Sequence, residues 1–152
     1  MATVERSVAT VAEMEALGAK LAASLGEARL IYLNGPLGAG KTTLVRGMLR
    51  GLGHEGAVKS PTFTLVEPYD FMNRVLYHFD LYRLNDPEEL EFLGIRDYLH
   101  GKGVCVVEWA ERAQGVLPTP DAEIMISPAE KGRMVRITTH THRGKTLLDA
   151  LS

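Results

Sequence analysis

Apolar residues recur along this chain in two rhythms that alternate. Met14, Leu17, Leu21 and Leu25 return at helical spacing behind Thr10-Val11-Ala12-Glu13, which has the form of a capping box, and Gly26 is expected to end that helix. Arg29 to Leu33 is a short β-prone run. Lys41 to Leu52 predicts a second helix, with Leu44, Val45, Met48, Leu49 and Leu52 on one face and Gly51 and Gly53 stopping it. The stretch from Lys59 to Tyr69 begins as a loop and becomes a strand. Arg74 to Tyr82 is its hairpin partner, joined through Asp70 to Asn73. Period-2 alternation there puts Leu76, His78 and Asp80 on one face and Tyr77, Phe79 and Leu81 on the other. Asp86-Pro87-Glu88-Glu89 opens a short helix, with Asp86 as N-cap and two carboxylates favoured by the dipole. Val104-Cys105-Val106-Val107 is apolar without alternation and predicts a strand covered on both faces. Ala122 to Ser127 and Arg133 to Thr139 read as further strands, and Thr146 to Leu151 as a closing helical turn. No repeat, low-complexity segment or linker divides the chain. The expected class is α/β: a mixed sheet with flanking helices, parallel at its core with antiparallel hairpins, in one domain over residues 1–152.

Composition narrows the picture. The chain has 152 residues, 45% of them hydrophobic, which is enough for one sizeable core. Seventeen basic residues against nineteen acidic ones give a formal charge of −2, the wrong balance for a domain that grips nucleic acid unaided. The single cysteine, Cys105, excludes an internal disulfide and a cysteine zinc site, and its apolar neighbours predict a packed thiol. The start of the chain lacks the basic and apolar regions of a secretory signal, and no apolar run approaches the ~20 residues of a membrane span. A soluble, cytoplasmic protein with no membrane partner is expected.

Gly35-Pro36-Leu37-Gly38-Ala39-Gly40-Lys41-Thr42 carries the strongest chemical signal. The spacing Gly-x-x-x-x-Gly-Lys-Thr is that of a Walker A phosphate loop, with a strand-like run before it and an amphipathic helix after. Its glycines let the backbone approach phosphate closely, successive amides form an anion nest, and the helix start adds partial positive charge. ATP or ADP is therefore expected on Gly35, Leu37, Gly38, Ala39, Gly40, Lys41, Thr42 and Thr43. Lys41 would face the phosphates and Thr42 would give its hydroxyl to magnesium. The fold class becomes a P-loop NTPase-like one.

Such a loop needs a carboxylate where a neighbouring buried strand emerges, and Glu108 stands at the end of Val104 to Val107. Asp80, between Phe79 and Leu81, is a second acid, able to orient the attacking water or to support the metal shell. Lys41, Asp80 and Glu108 form the expected catalytic set, and Thr42 and Glu108 the expected metal donors. Ser60, Thr62 and Thr64 lie where switch loops of P-loop proteins sit, with Pro61 stiffening the turn. Trp109 can pack near the nucleotide or serve as an ordinary partly buried ring. His78 reads as a packed or hydrogen-bonded histidine, and His140-x-His142, lacking a third ligand, as a solvated strand end. Arg83, Arg96, Arg112, Arg133 and Arg136 are the candidates to reach the transition state, most of them expected to be solvated, and Arg133 is the one favoured.

Around the loop, the words Leu33-Asn34-Gly35, Lys59 to Glu67, His78-Phe79-Asp80-Leu81-Tyr82-Arg83-Leu84, Pro87 to Phe92, Gly94 to Tyr98 and Glu108-Trp109 follow in order. Together they closely resemble the TsaE family, small bacterial ATPases of tRNA threonylcarbamoyladenosine synthesis, from about Thr10 to Arg136. The resemblance implies slow ATP hydrolysis and action on a complex of two partners, TsaD and TsaB, that transfers a threonylcarbamoyl group to the adenosine beside the tRNA anticodon. Contact with tRNA would be indirect. It also implies that Lys41 and Thr42 are phosphate and magnesium ligands, Glu108 the metal-shell acid and Asp80 the essential acid of the middle motif. Ser60 to Thr64 would be a switch-like segment, and Thr10 would lie near the adenine. Two positions depart from the family pattern. Pro36 replaces an often acidic residue and has no amide proton to offer, and Phe63 replaces an often present tyrosine and loses its hydroxyl.

Two rival functions share the loop. A small-molecule kinase would need a cationic lid, yet Asp86 to Tyr98 sets five acids (Asp86, Glu88, Glu89, Glu91, Asp97) against Arg96 alone. A non-hydrolysing, nucleotide-gated adaptor would use the same binding residues.

Overall fold

The apolar run Val104 to Val107 forms a fully buried inner strand of the sheet. The structure, a computed structural model, describes residues 1–59, 61 and 63–151. Ser60 and Thr62 of the expected switch segment lie outside the described residues. In chain order the elements are β1 (Ala2–Val8), α1 (Val11–Ala23), β2 (Leu30–Asn34), α2 (Lys41–Gly51), β3 (Val66–Phe71), β4 (Arg74–Asp80), α3 (Glu88–Leu93), α4 (Ile95–His100), β5 (Val104–Glu108), β6 (Ala122–Ala129) and β7 (Gly132–Thr139). Short 3₁₀ segments follow β5 (Ala110–Ala113) and close the chain (His142–Leu151).

Among the described residues seven strands form one sheet in the order β1-β7-β6-β2-β5-β4-β3. The central strands β6, β2, β5 and β4 run parallel, while β1–β7, β7–β6 and β3–β4 pair antiparallel. The expected mixed α/β architecture is the one observed. Every residue of β5 is buried, because apolar clusters cover both faces of the sheet. Ile31, Leu33, Leu76, Val104 and Val106 join the cluster beneath α1 and α2. Leu30, Phe79, Leu81, Cys105 and Val107 join the opposite cluster, which contains residues of α3 and α4. The alternation read from the sequence in β4 is borne out, and it places His78 and Asp80 on the α2 face.

Local signals set the element ends. Thr10 caps α1, its hydroxyl accepting from the Glu13 amide at 3.1 Å, while the Glu13 carboxylate reaches back to the amide of Ala9 rather than to that of Thr10. Helix α3 begins at Glu88 with Pro87 in the N-cap position, one residue later than read, while Asp86 still accepts from the Glu88 amide at 2.9 Å. Helix α1 ends at Ala23, ahead of Gly26, and β4 ends at Asp80, ahead of Tyr82.

Helices α1 and α2 cross in backbone contact. A Cβ on Gly47 would run into the Glu15 carbonyl oxygen, and one on Gly18 into that of Leu44. Alanine raises helix propensity by about 1 kcal/mol over glycine, whereas overpacking a tight contact costs about 1–3 kcal/mol. Here the obstacle is backbone and cannot rotate away. Gly47→Ala should therefore lower stability by about 2 kcal/mol, read as a reduced denaturant midpoint with unchanged slope. A stabilised variant would show that the helices can part without cost.

Candidate functional site

Residues 35–40 join β2 to the first turn of α2, so the strand–loop–helix setting of the motif is present. Gly38 and Gly40 hold φ values of 78° and 111°, a region that a side chain would strain. Gly40 caps α2 without a side-chain hydrogen bond. Lys41 is buried, and its Nζ donates to the Gly35 carbonyl at 2.7 Å. That ammonium also lies 3.7 Å from Glu108 Oε1 and 4.3 Å from the centre of the Trp109 ring. Burying a lysine is costly unless its charge is met, and here an oxygen dipole, a carboxylate and a π face meet it.

The two acids stand side by side because the strands carrying them are parallel neighbours. In the register, Leu33 of β2 faces Glu108 of β5, and Glu108 faces Asp80 of β4. All three lie at strand C-terminal ends, where open α/β sheets present their ligand crevice. Glu108 is 5% exposed, and its Oε2 lies 2.6 Å from His78 Nε2. Asp80 is half-buried and accepts from the Tyr82 amide at 3.0 Å. Burial raises its carboxyl above the ordinary value of 3.8; the Tyr82 hydrogen bond opposes this, and the Glu108 charge adds to it. After Glu108 the backbone turns through Trp109 at φ 59°, left-handed and strained for a tryptophan, which brings the indole over Lys41.

A cavity of about 460 Å³ opens between these groups. Leu37, Gly38, Gly40, Lys41, Thr42, Thr43, Asp80 and Glu108 line it, together with Tyr82, Arg83 and Trp109. A second cavity of about 230 Å³ adjoins the loop and is lined by Thr10, Ala39, Met14 and Arg133 among others, sharing Gly38, Gly40 and Thr43 with the first. The residues expected to contact a nucleotide thus cluster around two adjoining cavities, with Gly35 contributing its carbonyl from beneath.

Some expectations change. Arg133 is not aimed at the Lys41 cavity: its Nε donates to the Ala39 carbonyl at 3.1 Å and its Nη2 to that of Gly38 at 3.4 Å, bracing the loop from outside. Arg83 lines the larger cavity instead, its guanidinium 4.7 Å from the centre of the Phe63 ring. A ring without a hydroxyl still offers a π face, so Phe63 keeps a partner. Pro36 lacks the amide but supplies its carbonyl to the Ala39 amide at 3.1 Å. His78 is both packed and hydrogen-bonded, as read from the sequence, and its partner is Glu108. His140 lies 3.6 Å from Glu123, and no group of three or more His, Cys, Asp or Glu side chains is arranged to hold a metal by itself among the described residues. Cys105 is packed as expected, and burial pushes its thiol up to about 12.

The family described as "Threonylcarbamoyl adenosine biosynthesis protein TsaE" matches residues 8–136. The chain belongs to the TsaE family. Over 126 residues it is 53% identical to the tRNA threonylcarbamoyladenosine biosynthesis protein TsaE of Haemophilus influenzae, covering 83% of this chain and 80% of that one. The protein of the same name from Bacillus subtilis is 40% identical over 141 residues, covering 92% and 88%. The crystal structure of Bacillus YdiB superposes with a TM-score of 0.82 at 32% identity, covering 99% of this chain and 94% of that one. The sheet and the strand–loop–helix setting described above are therefore those of a TsaE-family member.

Proposed function

We propose that this chain is a magnesium-dependent ATPase, formed as one domain, that supports threonylcarbamoyl transfer to the adenosine beside the tRNA anticodon by acting on a TsaD–TsaB complex. The observation that carries the reading is the convergence of loop, Lys41, Thr42, Asp80 and Glu108 on one cavity. Magnesium fits the donors on hand: a threonine hydroxyl and carboxylate oxygens, hard ligands too few to cage it without phosphate oxygens and water. When bound, the ion would draw charge from the phosphates as a Lewis acid.

Each residue then has a task. The amides of the glycine-rich loop and the Lys41 ammonium neutralise phosphate charge, and Thr42 and Glu108 hold the cation's side of the site. Asp80 keeps its proton to higher pH than an ordinary aspartate, which makes its carboxylate the stronger base. We assign it the orientation of the attacking water. The smaller cavity at Thr10 suits the adenine end. No helix among the described residues is long and apolar enough to cross a membrane, in keeping with work in the cytoplasm alongside tRNA, which the chain would meet through its partners.

The test is ATP turnover with and without a TsaD–TsaB dimer. Strong stimulation by the dimer is expected, along with loss of sustained tRNA modification when this chain is omitted. Turnover indifferent to the dimer, with modification continuing in the chain's absence, would remove the proposed role. Tight ATP binding with no hydrolysis under either condition would favour the adaptor.

A further inference from the structure

We infer that His78 is a positioning residue for Glu108: it ties down one carboxylate oxygen from inside the sheet and leaves the other directed at the cavity. This rests on the reading that Glu108 serves the cation.

The two oxygens of Glu108 have different neighbours. Oε2 lies 2.6 Å from His78 Nε2, and Oε1 lies 3.7 Å from Lys41 Nζ. His78 is 1% exposed on β4, opposite Val106 in the register and one side chain before Asp80 on the same face. At the other edge of the ring, Nδ1 is buried and has no hydrogen-bond partner among the described residues. That asymmetry sets the tautomer. A proton on Nδ1 would be a buried donor without an acceptor, and it would turn the Nε2 lone pair toward a carboxylate. With the proton on Nε2, the imidazole donates a charge-assisted hydrogen bond, consistent with the short distance.

An orphaned Nδ1 costs stability, and the nearby apolar residues Leu76 and Val106 show what a position chosen for packing alone would hold. The return on that cost is a carboxylate that cannot rotate freely. Released from His78, Glu108 could turn both oxygens onto the Lys41 ammonium and withdraw both groups from the ligand. Held by His78, it presents a single oxygen, and Lys41 remains available for phosphate.

The experiment uses the full chain with a non-hydrolysable ATP analogue present at saturation while magnesium is titrated and followed calorimetrically. His78→Leu keeps bulk but removes the donor and should raise the magnesium midpoint by about tenfold or more. Affinity for the analogue without magnesium should move much less. His78→Gln restores an N–H donor and should bring the midpoint back to within about threefold of wild type. The wild-type imidazole should give the ¹⁵N signature of the Nε2–H tautomer, a readout that needs no variant to fold. An Nδ1–H tautomer, a Leu variant with the wild-type midpoint, or a Gln variant as impaired as the Leu variant would each overturn the assignment. If wild type bound the analogue with no magnesium dependence, the reading of Glu108 would fall first and this assignment with it.

Discussion

Lys41→Ala is expected to reduce ATP turnover about 100-fold or more and to weaken nucleotide binding alongside it, a loss near 3 kcal/mol in transition-state terms. The size follows from where the ammonium sits. It is buried at the mouth of α2 and fixed by the Gly35 carbonyl, Glu108 and the Trp109 ring, so under the proposed function it would meet phosphate without the screening of bulk water. A lysine free in solvent would be worth far less. Removing it also strips Glu108 of its cation, so thermal midpoints must be compared to separate lost chemistry from lost fold. Lys41→Arg is the sharper companion. It keeps the charge, but a planar fork cannot occupy the space of a compact ammonium beneath the indole, and turnover should remain well below wild type. Unchanged turnover and affinity in the alanine variant would remove the phosphate loop from the account.

What the sequence made legible was whatever depends on near neighbours. The loop motif, the Thr10 cap, the apolar run of β5 and the β3–β4 hairpin are all written among near neighbours, and each is present. The hairpin has a tighter turn than read, because β3 runs through Asp70 and Phe71 and leaves only Met72 and Asn73 between the strands. Strand β1 went unread because only Val8 of its seven residues is buried; an edge strand paired with β7 alone needs no apolar alternation. Helix α4 was hidden by Gly94, whose left-handed turn interrupts the helical period after α3. The glycines of the α1–α2 crossing could not be read as contact points, since their partners lie on another helix.

The site divides along the same line. That Lys41, Thr42 and Glu108 line one cavity follows from motif and strand end, which are local features of the sequence. Arg133 was misplaced because its partners, the carbonyls of Gly38 and Ala39, lie far away in the chain. The contact between His78 and Glu108 depends on β4 lying beside β5, and strand order was the part of the fold that periodicity could not supply. One signal was available: a polar ring two residues before Asp80, on the same face of a strand otherwise built to be buried.

Asp80→Asn should separate function from stability, cutting turnover about 100-fold while raising the thermal midpoint of the metal- and nucleotide-free protein by a few degrees at pH 7.5. Burial, together with the Glu108 charge, raises the Asp80 carboxyl above its ordinary 3.8, so the folded state binds that proton more tightly than the unfolded chain does. Stability from this group is therefore complete below about 3.8 and is lost as pH climbs through the raised value; at pH 7.5 the ionised carboxylate is a net cost. Asparagine carries no charge to desolvate, and its side-chain oxygen can still accept from the Tyr82 amide. The gain over wild type should accordingly be largest at neutral pH and shrink as both proteins are taken toward pH 4. Midpoints measured across that range decide the matter. A variant less stable than wild type at pH 7.5, or a gain that does not change with pH, would mean that Asp80 is held by a favourable partner rather than strained toward the cavity. A stabilised variant that still hydrolysed ATP at the wild-type rate would take the essential acid away from this position.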